Sequence, residues 1–301
     1  MVGSKRVPFK IIINVLQQLA FIVNVLLVLA LLLLHFVIKD CTFRFAIWFY
    51  MLPLPVIILI ILAASVFLGK KRKYNLIVAG LLTVFWFFTS FSISFTEPVE
   101  PTDIEVVFWN ASRDDGLQEA FIENGGIPDV MVLSESKNNN FEKLKAKYPD
   151  YYFYSNKELV VLFSKQPIHI VKEEVSRFGS TIITFNTYGV NFYSVDMQGS
   201  LDVPKAWEFK FESSIIKSTQ NTVVLGDFNA PYESIFLKGF KKNYTHFFDK
   251  KGNGFRETWP WSLPLLSIDH IWVSKDLRIV NSEKIHSKNS DHSMIKTVIR
   301  K

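Results

Sequence analysis

The sequence predicts an α/β protein in two parts. Residues 1–96 form an all-α membrane anchor of three transmembrane helices, and the remainder forms a four-layer α/β sandwich, two β-sheets packed face to face with helices outside. Three observations predict this. The first third of the chain holds three long apolar stretches, Ile11–Ile38, Ala46–Leu68 and Asn75–Phe95, each long enough for the roughly 20 helical residues that a hydrocarbon core requires. From Asp103 onward, many short strand-like runs alternate with few helical ones, the pattern of two stacked sheets with covering helices. Charge divides at the same place: residues 1–96 carry nine Lys/Arg and one Asp, a net of +8, whereas residues 97–301 carry 25 Lys/Arg and 27 Asp/Glu, a net of −2.

Within the anchor, Asn14, Gln17, Gln18 and Asn24 interrupt the first stretch, so part of it is expected to face other helices. Pro53 and Pro55 either kink the second stretch or mark its true beginning. The first stretch is too long for a signal peptide, and no small-residue cleavage site follows it. Lys5, Arg6 and Lys10 precede the first span and Lys70–Lys73 separates the second from the third, while the segment after the third is acidic and Pro-rich. The positive-inside rule then places the N-terminus in the cytoplasm and everything after the third span outside it, in a multi-pass protein of the cell (inner) membrane. Spans without intramembrane acids and with short loops give no pathway for transport. The single cysteine, Cys41, lies in the first loop, so the exported part must fold without disulfides. The overall charge of +6 belongs to the anchor and gives no support for a nucleic-acid-binding surface.

Residues 97–102 read as a short stiff linker and 103–301 as the soluble domain. Strands are expected at Ile104–Trp109, Val130–Leu133, Tyr151–Tyr154, Leu159–Phe163, Ile168–Val171, Thr181–Asn186, Asn191–Val195, Val223–Leu225, His270–Val273 and Met294–Ile299. Helices are expected near Leu117–Asn124, Trp207–Thr219 and Ser234–Phe240. Asn138–Asn140 reads as a loop.

The polar residues that end these strands form a set. In Thr222–Ala230, TVVLGDFNA, a buried-type strand stops at a glycine and delivers Asp227 and Asn229 onto one side of its end. An acid that can take a proton, beside an amide that can hold an oxygen, suits phosphate-ester hydrolysis. VVFWN ends at Asn110 and VMVLSE at Glu135, Asp269 precedes one strand, and Asp291-His292 precedes the last. Each alone has a structural reading as a turn former or cap. Together, each beside an apolar strand, they point to a site.

In this order the residues closely resemble the endonuclease/exonuclease/phosphatase superfamily, over about Ile104 to Ile299. Leu159–Ile168, LVVLFSKQPI, and Thr258-Trp259-Pro260 strengthen the likeness, the latter to its bacterial branch with N-terminal membrane helices. The resemblance implies a metal-dependent phosphoric ester hydrolase. Glu135 would be the principal ligand of Mg²⁺, or alternatively Mn²⁺, with Asn110 beside it and Asp291 close by. Asp227 would take a proton from the attacking water, held by Asn229. His292 would bind a non-bridging oxygen, with Asp269 on its other ring nitrogen. His270, adjacent to Asp269 on a strand, faces the other way and reads as structural. His35, His169, His246 and His286 read as structural or surface residues.

One departure from the family pattern stands out. Where relatives place a His at the end of the middle strand, this chain has Asp196, an acid that must be protonated or metal-bound to face a phosphate. Gln198 is a candidate replacement donor, and Ser112 stands where some relatives carry a second metal-binding acid. The substrate stays open between phospholipid head groups, extracellular nucleic acid and small phosphate esters. The bilayer is the one other partner implied, no protein partner being evident. The tether favours a lipid, since it holds the site near the bilayer, and Trp259, Trp261, Phe247 and Phe248 are either an interfacial rim or ordinary core. The rival reading is a non-catalytic binding or sensing module on the same fold.

Overall fold

A computed structural model describes residues 9–112, 115–199, 203–263 and 265–301, with the side chains of 9–12 left aside. Lys5, Arg6 and the side chain of Lys10, counted above as cytoplasmic charge, lie outside the described residues. The chain divides into two compact units, Met1–Thr89 and Ser90–Lys301.

The first unit is helical. Helix α1 (Phe9–Leu32) runs on as a π-helical segment, Leu33–Ile38, and is followed by α2 (Phe43–Met51), α3 (Leu54–Ser65), a 3₁₀ segment Val66–Lys71, and α4 (Arg72–Ser90). The expected second span is split, because Pro53 has no N–H to continue the ladder; it adopts φ −62° and ψ 160° and starts α3. Among the described residues two stretches, not three, are long and apolar enough to cross a membrane, Ile13–Ile38 and Leu54–Ser90. The second contains a break at Gly69, with φ 51° and ψ −124°.

Asn24 faces other helices, as expected. It exchanges amide hydrogen bonds of 2.8 and 2.9 Å with Asn75, whose Nδ2 also donates to the Ile61 carbonyl at 2.9 Å. Lys71 Nζ donates to Gln18 Oε1 at 2.7 Å, and Phe36 packs edge-on against Phe85. The partners 18–71, 24–75 and 36–85 advance together along both helices, so α1 and α4 run parallel.

The second unit contains, in chain order, β1 (Phe91–Ser92), β2 (Ile104–Asn110), α5 (Leu117–Glu123), β3 (Val130–Ser134), α6 (Phe141–Lys147), β4 (Tyr152–Ser155), β5 (Val161–Ser164), β6 (His169–Val175), β7 (Thr181–Thr187) and β8 (Val190–Asp196). It continues with α7 (Lys205–Ile215), β9 (Thr222–Asp227), α8 (Lys238–Asn243), β10 (Tyr244–His246), α9 (Phe247–Lys251), β11 (Gly254–Phe255), β12 (Asp269–Ser274), β13 (Arg278–Ile285) and β14 (Met294–Arg300). Two six-stranded sheets result, ordered β13-β14-β2-β3-β5-β4 and β10-β12-β9-β8-β7-β6. Both are mixed: β2 and β3 pair in parallel, as do β8 and β9, and the other neighbours are antiparallel.

Alternation along each strand sorts its side chains between layers. Val106, Phe108, Val130, Val132 and Leu162 of the first sheet meet Ile183, Phe185, Phe192, Val223, Leu225, Ile271 and Val273 of the second in one inter-sheet core. The intervening Val107, Trp109, Met131, Leu133 and Phe163 pack outward with Leu117, Phe121 and Leu144 of α5 and α6. On the far side Val224, Trp272 and Val195 pack with Phe209 of α7 and Phe240 of α8. Helices thus cover two stacked sheets from outside.

The segment expected to be a linker is bound to the domain. Glu97 accepts from Lys251 at 2.7 Å and from Arg278 at 2.5 Å, and Glu100 pairs with Arg300 at 2.8 Å. Its acids find cations on the folded surface, which holds the stretch down.

Outside both sheets' seam, His270 and His246 form a buried neutral pair. His270 Nε2 lies 3.0 Å from the Ala230 carbonyl, so it carries the proton, and Nδ1 then accepts from His246 Nε2 at 3.1 Å. Burial pushes His270 down to about 4, the Ala230 bond and Asp269 opposing only in part. A histidine with a depressed folded value stabilises fully above its unfolded value of about 6.5 and loses that contribution as the pH falls toward 4. The shift corresponds to about 3 kcal/mol. The urea midpoint should therefore fall between pH 7 and pH 4.5, and fall less steeply in His270→Asn. Parallel slopes would refute the assignment.

Candidate active site

The inter-sheet parity that builds the core also delivers the polar set. Asn110 continues the inward positions Val106 and Phe108, Asp227 continues Val223 and Leu225, and Asp269 precedes Ile271 and Val273 on the same face. In the second sheet Asp196 lies opposite Asp227, and Asp227 opposite Asp269. Three acids therefore stand side by side across three hydrogen-bonded strands, at one end of the seam. Like charges in register oppose folding unless cations or protons intervene.

The chain makes special provision for this end. Gly226, with φ 154°, sits so close to β8 that a Cβ would lie 1.8 Å from the Val195 carbonyl oxygen, so only glycine fits before Asp227. Glu135 and Asn229 both adopt left-handed backbone, with φ 50° and 46°. For Glu135 this is a strained conformation of the kind found at functional sites.

Hydrogen bonds tie the set together. Asn110 Nδ2 donates to Asp227 Oδ2 at 3.0 Å and to Glu135 Oε1 at 3.3 Å. Asn229 donates through its backbone N–H to Asp227 Oδ1 at 2.8 Å and through Nδ2 to the Met197 carbonyl at 2.7 Å. His292 Nδ1 lies 3.0 Å from both oxygens of Asp269. Ligating atoms of Asp227, Asp269 and His292 all fall within 4.8 Å of one another. A cleft of about 460 Å³ opens here, lined by Glu135, Asp196, Asp227, Asn229 and His292 together with Lys157, Glu158 and Gln198.

Charge follows burial and neighbours. Burial, then Asp269, push Asp227 up to about 7, against His292 and the Asn229 and Asn110 hydrogen bonds. Burial, with the charges of Asp227 and Glu135, holds Asp196 well above the usual carboxylate range. Burial works against the imidazolium of His292, but Asp269, with Asp227 and Asp291, outweighs it and raises the group to about 10. The ring is a cation at neutral pH, and its Nε2–H is the donor left over once Nδ1 faces Asp269.

Asp291 stands slightly apart. One oxygen accepts from Ser112 Oγ and the other from Trp259 Nε1 at 2.7 Å, and Asp291 is absent from the residues lining the cleft. It connects to Asn110 indirectly: Ser112 N donates to Asn110 Oδ1 at 3.0 Å, and Ser290 Oγ donates to the Asn110 carbonyl at 2.7 Å. Gln198 reaches the cleft, but its Nε2 donates to the Phe178 carbonyl at 3.1 Å. Phe247 and Phe248 belong to the core, not to a rim. The sequence reading missed Lys157 and Glu158, and missed the scaffold formed by Thr258 and Trp259. Thr258 Oγ1 accepts from Asp269 N at 3.3 Å, its carbonyl accepts from Ser293 N, and Trp259 holds Asp291. The TWP element was the signal available for that scaffold.

A family profile described as "Endonuclease/Exonuclease/phosphatase family" matches residues 107–292, which include every one of the site residues named above. The chain belongs to the Endonuclease/Exonuclease/phosphatase family, whose members are typically metal-dependent hydrolases of phosphoester bonds. Among solved structures it is similar to a humanized TDP2 of D. rerio carrying 14 mutations, at 14% identity and a TM-score of 0.51 over 66% of this chain and 100% of that one. It is also similar to an endonuclease/exonuclease/phosphatase family protein of Bacteroides thetaiotaomicron, at 14% identity and a TM-score of 0.50 over 67% and 98%. At such identities the likeness is one of fold. No curated relative matches the sequence.

Proposed function

We propose that the protein is a membrane-anchored, Mg²⁺-dependent phosphoester hydrolase of the cell membrane, with its cleft on the extracytoplasmic side. The observation that carries the chemistry is the row Asp196–Asp227–Asp269 in register beside Glu135, with His292 as the cation against it. The donors are oxygens facing one another in a cleft, a set that fits a hard divalent cation such as Mg²⁺ or Mn²⁺. Glu135 and Asn110 would hold it, with Asp291 behind them. Bound there, the metal would polarise a phosphoryl oxygen and offset charge on the leaving group.

The chain's own residues supply the rest. Asp227 accepts the proton of the attacking water, its carboxylate oriented by Asn229 N–H and Asn110 Nδ2. His292, fixed by Asp269, presents Nε2–H to a non-bridging oxygen. The slightly negative domain counts against salt-sensitive binding to DNA. Turnover of any member of a panel of phosphodiesters and phosphomonoesters, lipids included, by the full chain in Mg²⁺ and its loss in excess chelator would support this reading. Full activity in chelator would exclude the metal. No turnover at all would favour the non-catalytic binding module.

Anchoring rests on the helical unit. Parallel α1 and α4 require the chain between them to cross back, and the Gly69 break followed by Lys70–Lys73 suits a turn at a membrane face. These features favour three spans, with the basic turn cytoplasmic and residues 97–301 outside. A reporter fused after Lys301 should be active only if it is one that needs export; activity of a cytoplasm-only reporter there would reverse the orientation.

A further inference from the structure

The loop at Trp259–Leu266 carries two large apolar side chains that the domain does not cover. Trp261 is 57% exposed and Leu263 is 74% exposed. The loop is closed at its base, where Leu265 N and Leu266 N both donate to the Trp259 carbonyl at 2.7 and 2.9 Å. It is also tied to the site: Trp261 N donates to the Asp291 carbonyl at 2.8 Å, and Trp259 Nε1 to its carboxylate.

The second unit begins at Ser90, which is held against the segment that leads into this loop. Ser90 ends the apolar stretch Leu54–Ser90, and its carbonyl accepts from Arg256 N at 3.0 Å. The next two residues, Phe91 and Ser92, pair with Phe255 and Gly254. Trp261 lies five positions after Arg256, a stretch that at full extension spans at most about 18 Å. Ser90, the first residue of the second unit, is thus held to a backbone position within that reach of Trp261.

We propose that Trp261 and Leu263 form an insertion element that seats the catalytic cleft on the outer surface of the bilayer from which the chain emerges. The inference rests on the membrane-anchored reading above and goes beyond it, since it assigns the lipid surface to one loop and couples that loop to Asp291. The chemistry is that of an interface: an indole prefers the head-group level, and a leucine beyond it reaches the acyl boundary. Seating by a loop hydrogen-bonded to the residue next to His292 places the cleft's rim at the head groups, where phosphoesters of lipids or of lipid-linked molecules are presented.

Cys41 is the only cysteine, so a Cys41→Ser background admits a single label. The full chain would be reconstituted in phosphatidylglycerol/phosphatidylcholine vesicles with a fluorescent label at Ser262→Cys or, as control, at Gln220→Cys, an exposed turn before β9 at the end of that strand remote from Asp227. Spin-labelled lipid should quench the label at 262 about twofold or more, as for a group seated roughly 5–10 Å into the head-group boundary, and leave the label at 220 bright. Equal weak quenching at both sites, with the label at 262 open to aqueous iodide, would overturn the proposal. Shielding from lipid and iodide alike would overturn it too, by showing that protein covers the loop. The readout needs no turnover, and carbonate-resistant retention in the vesicles reports anchoring separately, so failure of the loop is distinguishable from failure of the function or of the anchor.

Discussion

Replacing Asp227 by Asn should lower kcat by about 10³-fold, within the range for loss of a positioned general base. The carboxylate is the group on which the second sheet's geometry converges: Gly226 brings it to the seam, Asn229 N–H and Asn110 Nδ2 fix its two oxygens, and His292 lies against it. Asparagine retains the shape and can still accept from Asn229 N–H, but it cannot take a proton from water. KM should change little, because phosphate contacts fall to His292. The melting temperature should also hold, since the substitution removes one of three in-register acids and costs one acceptor toward Asn110. A variant retaining more than about a tenth of wild-type kcat would remove Asp227 from the role of base.

Most of the strand framework was legible because buried strands in a stacked sheet write their parity directly: VVFW, VMVL and VVL each send alternate residues to different cores. Four strands escaped notice: β1, β10 and β11 are only two or three residues long, too short for alternation to show, and β13 is an edge strand whose segment RIVNSEKI breaks alternation, with a register shift between Ile279 and Asn281. The same parity rule read His270 as outward-facing, where it is found against Ala230 and His246. Short helices such as α6 and α9 were missed because one or two turns carry little periodic signal.

The site was legible to the extent that it rides on strand ends. Asn110, Asp196, Asp227 and Asp269 could be placed from the sequence alone once their strands were set. What holds Asp291 could not. Its partners Ser112 and Trp259 lie on separate loops, 179 and 32 residues away in sequence, and only the closed fold brings them together. The same holds for the acidic stretch at 97–102, stiff by composition yet fixed by Lys251, Arg278 and Arg300, whose positions no local pattern encodes. The break of the second apolar stretch at Pro53, by contrast, follows from one missing N–H.

Asp196 stands where the family resemblance leads one to expect a histidine, and its replacement by Asn should separate two classes of substrate. The residue ends β8 in register with Asp227 and lines the cleft. Burial, with the charges of Asp227 and Glu135, favours the protonated acid there. A neutral carboxyl group at that place can hand its proton to a departing alkoxide. Asp196→Asn keeps a hydrogen-bond donor but has no proton to give, so esters with poor leaving groups should slow by about 10²-fold, the scale of general acid catalysis. Nitrophenyl esters, whose oxyanion leaves without a proton, should be hydrolysed at nearly the wild-type rate. If Asp196 were instead an anion repelling phosphate, the same substitution would speed both classes, chiefly through KM. Unchanged rates for both would place Asp196 outside the reacting geometry and leave Glu135, Asp227 and His292 as the proposed working set.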